Sequence, residues 1–283
     1  MPTVKQALSN SAKTLAEIEK LSNPTNEAGW LLGYVLKRDR AWLYAHPESL
    51  VSSSQQVRLN RLLIQRTKLR LPLAYLLGHQ DFAGLNFIVT RSTLVPRPET
   101  EGLIELVAER ILTLGLDHAR LVDVGTGSGV IAISLKHRLP DLAVTATDIS
   151  RRALTVARRN ADRLQTKVSF VASDLLAQVS TDFEIIVANL PYGSEAGQSK
   201  WRPEVHHEPK KAILGGPDGL KLVRRLIQQI SQRKIRPKLI ALEIDAHQGQ
   251  LVTQLAARVL PEYQVKTLAD LAGHDRYVLL TVE

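Results

Sequence analysis

One stretch constrains the fold of this chain more than any other. The apolar run Leu121-Val122-Asp123-Val124 breaks into Gly125-Thr126-Gly127-Ser128-Gly129, and a helical pattern starts at once. A strand, a glycine turn and a helix in direct succession belong to a parallel sheet covered on both faces, with the turn at the carboxyl edge where such sheets bind ligands. Glycine permits positive φ and lets a backbone approach a ligand closely.

The rest of the chain agrees. Strands are expected at Arg120–Val124, Ala143–Thr147, Val168–Ala172, Glu184–Ala188 and Leu239–Ile244, with helices at Val130–Leu139, Ser150–Arg163 and Gly219–Arg233 between most of them. Tyr263–Leu268 and Arg276–Val282 flank a Gly273 loop and read as an antiparallel pair. The expected fold is therefore α/β: a Rossmann-like, seven-stranded sheet, mainly parallel with an antiparallel C-terminal strand. Ahead of it, residues 1–72 show only helical patterning. Leu8, Leu15, Ile18 and Leu21 recur before a break at Asn23-Pro24, and Val57, Leu59, Leu62, Leu63 and Leu69 recur behind the Ser52-Ser53-Ser54 caps. Pro72 opens a different texture. His79–Phe82 and Leu85–Val89 around Ala83-Gly84 predict a hairpin, and Glu99 and Glu101 open a helix running to about Leu114. The domains expected are a helical bundle over 1–72, a hairpin linker over 73–93 and a sheet domain over 94–283.

Composition removes several functions. With 44% apolar and 23% charged residues the chain is an ordinary globular one. It has no cysteine, hence no disulfide, thiolate nucleophile or cysteine-ligated zinc. No apolar run approaches the ~20 residues that span a bilayer, and Met1–Lys20 is polar and helix-patterned, so no membrane association and a cytoplasmic location are expected. The eight histidines lack metal-ligand spacing, and His206-His207 would point apart in an extended segment, so no metal is expected. Of the formal charge of +9, residues 1–75 carry +6, as 11 Lys+Arg against 5 Asp+Glu. That surplus suits either a partner-facing surface or solvated helix faces.

The glycine spacing selects among cofactors. A nicotinamide-binding loop reads G-x-G-x-x-G with its third glycine at the helix start, whereas here the spacing is G-x-G-x-G and position 130 is valine. S-adenosyl-L-methionine is the better match. Asp123 can order the loop or meet a cationic amino group, Asp148 is placed to accept from ribose hydroxyls, and Asp174 from an adenine amino group, beside Leu175.

The fourth strand runs into Asn189-Leu190-Pro191-Tyr192 at the same edge. A planar amide or arylamine nitrogen is a poor nucleophile because its lone pair is delocalised. The Asn189 carbonyl and a backbone carbonyl at Leu190 or Pro191 can each accept one of its N–H groups and aim the nitrogen at a methyl donor. Proline offers no competing N–H, and Tyr192 offers a flat face. As the nitrogen gains positive charge these contacts strengthen, so they are catalytic as well as binding. Asn189, Pro191 and Tyr192 are the expected catalytic residues, and no dedicated general base is evident.

These motifs, together with Pro72-Leu73-Ala74-Tyr75-Leu76-Leu77-Gly78, Leu94-Val95-Pro96-Arg97-Pro98-Glu99-Thr100-Glu101, His207-Glu208-Pro209, Gly216-x-Asp218-Gly219-Leu220 and Asp270-Leu271-Ala272-Gly273-His274-Asp275-Arg276, make the chain resemble the PrmC/HemK family of peptide chain release factor glutamine methyltransferases. The resemblance implies methylation of the glutamine in the Gly-Gly-Gln motif of class I release factors. It carries cofactor contacts onto Gly125 to Gly129, Asp148 and Asn189, and gives the helical domain a docking role with no requirement for nucleic acid. Two positions depart from the family. Leu175 stands where an aromatic residue is usual, and Leu190 replaces the first proline of Asn-Pro-Pro-Tyr. Asn-Leu-Pro-Tyr is similar to the motif of ribosomal RNA adenine dimethyltransferases. Glutamine methylation of a ribosomal protein and adenine methylation of RNA are therefore the alternatives. Arg97 and Glu99 are expected to shape the pocket entrance, with Thr100 in reach of the methionine carboxylate, Glu208-Pro209 to brace the acceptor loop, and Lys200, Lys210 and Lys211 to meet an acidic partner or RNA.

Overall fold

The computed structural model describes residues 1–19, 21, 23–233 and 236–282; Lys20 and Glu283, which end two of the expected segments, lie outside the described residues. The chain divides into two compact units, one of residues 1–78 with 202–207, the other of residues 79–201 with 208–283.

The first unit is helical because its sequence both starts and stops helices sharply. Thr3 and Gln6 form a capping box ahead of α1 (Val4–Ala16), and Asn23 caps α2 (Pro24–Leu36), which has its proline in the first turn. Asp39 caps α3 (Arg40–Ala45), and Ser52 with Gln55 makes a second capping box ahead of α4 (Ser53–Thr67). A short α5 (Leu73–Leu77), closed by left-handed Gly78, follows; the change of texture at Pro72 does not announce it. Leu15, Leu31, Leu32, Leu43 and Leu59 form the core. Val57 and Leu69, expected on the apolar face of α4, are instead 62% and 56% exposed. Val57 falls two residues short of Leu59, off its face, and Leu69 lies beyond the helix end.

In the second unit β1 (His79–Phe82) and β2 (Leu85–Ile88) pair antiparallel as the expected hairpin. Then come α6 (Pro98–Thr113), β3 (Arg120–Val124), α7 (Val130–Arg138), β4 (Ala143–Asp148), α8 (Arg151–Arg163), β5 (Ser169–Ala172) and β6 (Ile185–Asn189). α9 (Lys221–Ser231), β7 (Leu239–Glu243), α10 (Gly249–Val259), β8 (Gln264–Ala269) and β9 (Asp275–Thr281) complete it; α10 is absent from the expectations above. Among the described residues β3 to β9 form one seven-stranded sheet in the order β5-β4-β3-β6-β7-β9-β8. Only β9 runs against its neighbours, as the fold class anticipates.

Side chains alternate between two apolar cores. Leu121, Ile185, Val187 and Ala241 face one side with Leu103 and Val107 of α6 and Ile133 of α7. Val122, Val124, Ile186 and Leu242 face the other with Leu226 and Ile230 of α9 and Val252 of α10. Burial on both faces explains why these strands are almost wholly apolar. The strand order reverses between β3 and β6, which leaves a crevice at their carboxyl ends.

Candidate active site

A cavity of about 340 Å3 fills that crevice, near the lower end of the usual range for small-molecule sites. The turn after β3 lines it with Gly125, Thr126, Gly127 and Ser128, the end of β4 with Asp148, and the segment after β5 with Asp174 and Leu175. Asn189, Leu190 and Pro191 line it after β6. Ten of the residues singled out in the sequence thus converge on one space, whereas Asp123, Gly129 and Tyr192 are not part of its lining.

Each of those three has another place. Asp123 is fully buried beneath the turn. Its Oδ2 accepts from the Thr126 hydroxyl at 2.6 Å and from the Ala132 N–H at 3.2 Å, so it ties the turn to the start of α7. Its Oδ1 has no hydrogen-bond partner among the described residues. Burial pushes the carboxyl up to about 7, against the pull of those two donors and with a further push from the Asp148 charge. Gly129 has φ 87°, and a Cβ there would come within 2.8 Å of Ile133 and 3.2 Å of Ala157, so it permits α7 and α8 to approach. Tyr192 is largely buried. That burial, and the Glu243 charge, raise its phenol pKa, while Arg276 and Arg97 draw it down.

The lining residues are held by specific bonds. Asp148 accepts from the Gly127 N–H at 2.9 Å and the Ser150 N–H at 2.7 Å, and burial raises its pKa. Gly127 has φ 58°, and a Cβ there would meet no protein atom within 4 Å, so its missing side chain leaves open space at the cavity wall. Asp174 pairs with Arg225 of α9 at 2.6 Å, and Arg225 also lines the cavity. Leu190 is 3% exposed, in the core beneath the turn; a Cβ on Gly125 would lie 3.0 Å from its Cδ2.

Behind the tetrapeptide the backbone is crowded. A Cβ on Gly215 would come within 2.2 Å of the Pro191 carbonyl oxygen, and one on Gly219 within 2.1 Å of that of Tyr192. The Tyr192 carbonyl also accepts from Gln248 Nε2 at 3.2 Å. The glycines of Gly215–Gly219 are thus the floor against which Pro191 and Tyr192 sit.

Sequence reasoning missed one support in particular. Asn160 of α8 is fully buried and donates to the Ile88 and Ser128 carbonyls, both at 2.9 Å, while accepting from the Ile88 N–H at 2.7 Å. It fastens hairpin, glycine turn and helix together, and nothing in the local pattern marks it. Thr100, in the first turn of α6, lines the cavity and accepts from Asn189 Nδ2 at 3.0 Å. Arg97 also lines the cavity. Glu208 accepts from Arg97 and from the Val95 N–H, so it braces the segment before α6 rather than the acceptor loop. His206-His207 lie in a 3-10 turn over Pro203–His207, not in an extended segment, and a His207 ring nitrogen bonds the Leu69 carbonyl at 2.6 Å. Lys210 and Lys211 line the cavity. Among the described residues no group of three or more His, Asp or Glu could hold a metal ion, and no helix is long and apolar enough to cross a membrane.

Comparison with known proteins adds the family relation. Residues 101–207 match the Methyltransferase small domain family and residues 6–78 the PrmC N-terminal domain family. Two relatives, from Koribacter versatilis and Moorella thermoacetica, are each named release factor glutamine methyltransferase. They are 36% and 39% identical to this chain, over 98% of it and 98% of their own length. A solved methyltransferase from Pyrococcus furiosus is similar with a TM-score of 0.52 and 16% identity, covering 80% of this chain and 98% of its own. That likeness concerns the fold.

Proposed function

The chain belongs to the release factor glutamine methyltransferase family, and from that premise we propose that it methylates the side-chain amide nitrogen of the glutamine in the Gly-Gly-Gln motif of class I peptide chain release factors. The observation that carries the reading is the meeting of the Gly125–Ser128 turn, Asp148 and Asn189-Leu190-Pro191 around one cavity, in a chain alike to its relatives from end to end.

The residues fit S-adenosyl-L-methionine. The open space at Gly127 admits a ligand against the backbone, Asp148 keeps lone pairs beyond the two N–H groups it accepts, and the orphaned Asp123 Oδ1 adds negative potential beneath the turn. Gly125 to Ser128 would hold the amino-acid part, Asp148 the ribose, and Asp174 with Leu175 the adenine. When bound, the cofactor supplies an electrophilic methyl carbon on sulfur and leaves as S-adenosyl-L-homocysteine.

The protein's part is to orient a weak nucleophile. Asn189 Oδ1 accepts one N–H of the substrate amide, and a backbone carbonyl of the tetrapeptide accepts the other. The Leu190 carbonyl suits this better than that of Pro191, which is packed against Gly215. Fixing both N–H groups sets the plane of the amide so that its lone pair faces the methyl carbon, and the forming positive charge on nitrogen strengthens both contacts. Methyl transfer to the nitrogen would leave it with a surplus amide proton, which departs to solvent. Tyr192, Pro191 and Thr100 shape the site around this pair. The basic helical unit docks the release factor, in the cytoplasm, with no need of metal, membrane or nucleic acid.

The test is to incubate the protein with radiolabelled S-adenosyl-L-methionine and separate pools of release factors, ribosomal proteins and ribosomal RNA, with and without EDTA. Label is expected in release factor glutamine, unaffected by chelation. Label confined to RNA would favour the adenine reading, for which Lys210 and Lys211 at the cavity are the relevant observation. Asn189→Ala should abolish transfer while largely retaining cofactor affinity, and a retained rate would refute the orientation mechanism.

A further inference from the structure

In the parallel pairing of β6 with β7, Asn189 lies opposite Glu243. Glu243 is 1% exposed, and neither of its carboxylate oxygens receives a hydrogen bond of ordinary geometry among the described residues. The Thr100 hydroxyl and the Asn189 amide nonetheless lie close enough to draw its pKa down. Thr100 is itself 3% exposed and takes a hydrogen bond from Asn189 Nδ2 at 3.0 Å. Four other groups face the carboxylate electrostatically: Arg276 and Tyr277 from β9, Glu99 from the start of α6, and Tyr192 from the tetrapeptide. A buried carboxylate without ordinary partners is costly, and none of the roles above uses it.

An asparagine amide has two ends with opposite hydrogen-bonding character. If Nδ2 turns inward, Oδ1 is left to accept from a substrate N–H; the reverse rotamer sets two N–H groups against the substrate's own and repels it. Thr100 alone does not decide between them, because a hydroxyl both donates and accepts. An ionised carboxylate only accepts. Placed beyond Thr100 and opposite Asn189, it draws the Thr100 hydroxyl hydrogen toward itself, leaves Thr100 Oγ1 to accept from Nδ2, and repels Oδ1.

We propose that Glu243 is a positioning residue, whose charge polarises the relay from Asn189 through Thr100 so that Oδ1 of Asn189 is always the end offered to the substrate amide. The inference rests on the role of Asn189 proposed above. It also gives that relay a pH dependence. Burial pushes the Glu243 carboxyl up to about 7, opposed by Thr100, Arg276 and Asn189 and assisted by Glu99. Once protonated, Glu243 becomes a donor too, and the relay loses its direction.

The test uses the full chain, saturating S-adenosyl-L-methionine and a release factor substrate. Saturation separates Glu243 from Asp123, which lies under the cofactor turn. With the relay intact, kcat falls by up to about tenfold per pH unit below pH ~7. Glu243→Gln, which brings donors, should lose kcat by about tenfold or more, flatten that profile, and leave KM for the release factor within about threefold. Thr100→Ser should restore most of what Thr100→Val loses. Independently of turnover, the Asn189 side-chain amide resonances of the 15N-labelled protein should titrate with a midpoint near Glu243's in the wild type and not in Glu243→Gln. A flat wild-type kcat profile, unmoved Asn189 resonances, or a Glu243→Gln enzyme equal to wild type would each overturn the proposal. If Glu243→Gln fails to fold, the wild-type resonances and the Thr100 pair still decide it. Wild-type protein inactive on release factors would count against the function proposed above and leave the Asn189 titration to judge Glu243.

Discussion

Two residues under the glycine turn illustrate how a site is built from groups that a stable core would avoid. Gly127, at φ 58° with empty space where a Cβ would be, is the proposed cofactor contact whose loss should be felt in binding. Gly127→Val is expected to weaken S-adenosyl-L-methionine by at least about tenfold in calorimetry, roughly 1.4 kcal/mol, beyond the ~1 kcal/mol of backbone strain that appears in stability. Asp123, raised to about 7 by burial, acts through pH. A carboxyl with a folded-state pKa above its unfolded one stabilises the fold in its protonated form, and that stability is lost as pH rises from about 4 through about 7. The apoprotein's melting temperature should therefore fall between about pH 5 and pH 8. Asp123→Asn should flatten the slope, since an asparagine oxygen still accepts from Thr126 and Ala132. An unchanged slope would show that this carboxyl is ionised throughout.

At the scale of elements, the seam between α6 and β9 sets where the first turn of α6 lies, and Thr100 is in that turn. Tyr277 Oη donates to the Glu99 carbonyl at 2.6 Å, and a Cβ on Gly102 would come within 2.2 Å of that Tyr277 Oη. Gly102→Ala should therefore destabilise despite the ~1 kcal/mol that alanine adds in a helix. Tyr277→Phe should recover part of that loss, and denaturant melts of the four proteins would give the coupling. A strictly additive result would mean that the seam does not constrain α6. Such pairings also mark what a sequence can and cannot show. The strand, turn and helix at Leu121–Val130, the alternation behind it and the tetrapeptide after β6 are local patterns, so the sheet and most of the cavity wall were legible. Asn160, Glu243 and the contact of Thr100 with Asn189 were not, because each acts through a register or a contact between distant elements. Nor did α5 stand out, being five residues long, nor the inward placement of Tyr192, because composition says nothing about which way a ring turns.

The whole molecule has two compact units, and its chain passes between them more than once. Arg66 is 5% exposed in the helical unit and pairs with Glu27 through two nitrogens at 2.8 and 3.0 Å, and with Glu204 at 2.8 Å. Arg70 joins Glu204 at 2.8 Å. Removing Arg66 leaves the largely buried Glu27 without this partner and Glu204 with Arg70, so Arg66→Ala should cost the helical unit about 3 kcal/mol or more. Hydrogen exchange should then quicken over residues 4–77 and 202–207 while the seven-stranded sheet keeps its protection. Equal loss in both would mean that the two units melt as one. Glu204 belongs to the six residues that the chain contributes to the helical unit between Trp201 and Glu208. A gene cut after Gly78 therefore encodes an unfinished bundle, with Arg66 lacking one of its two counterions. Shuffling this helical unit onto another enzyme takes a matched pair of grafts, and recombination at a single breakpoint would pass on only part of it.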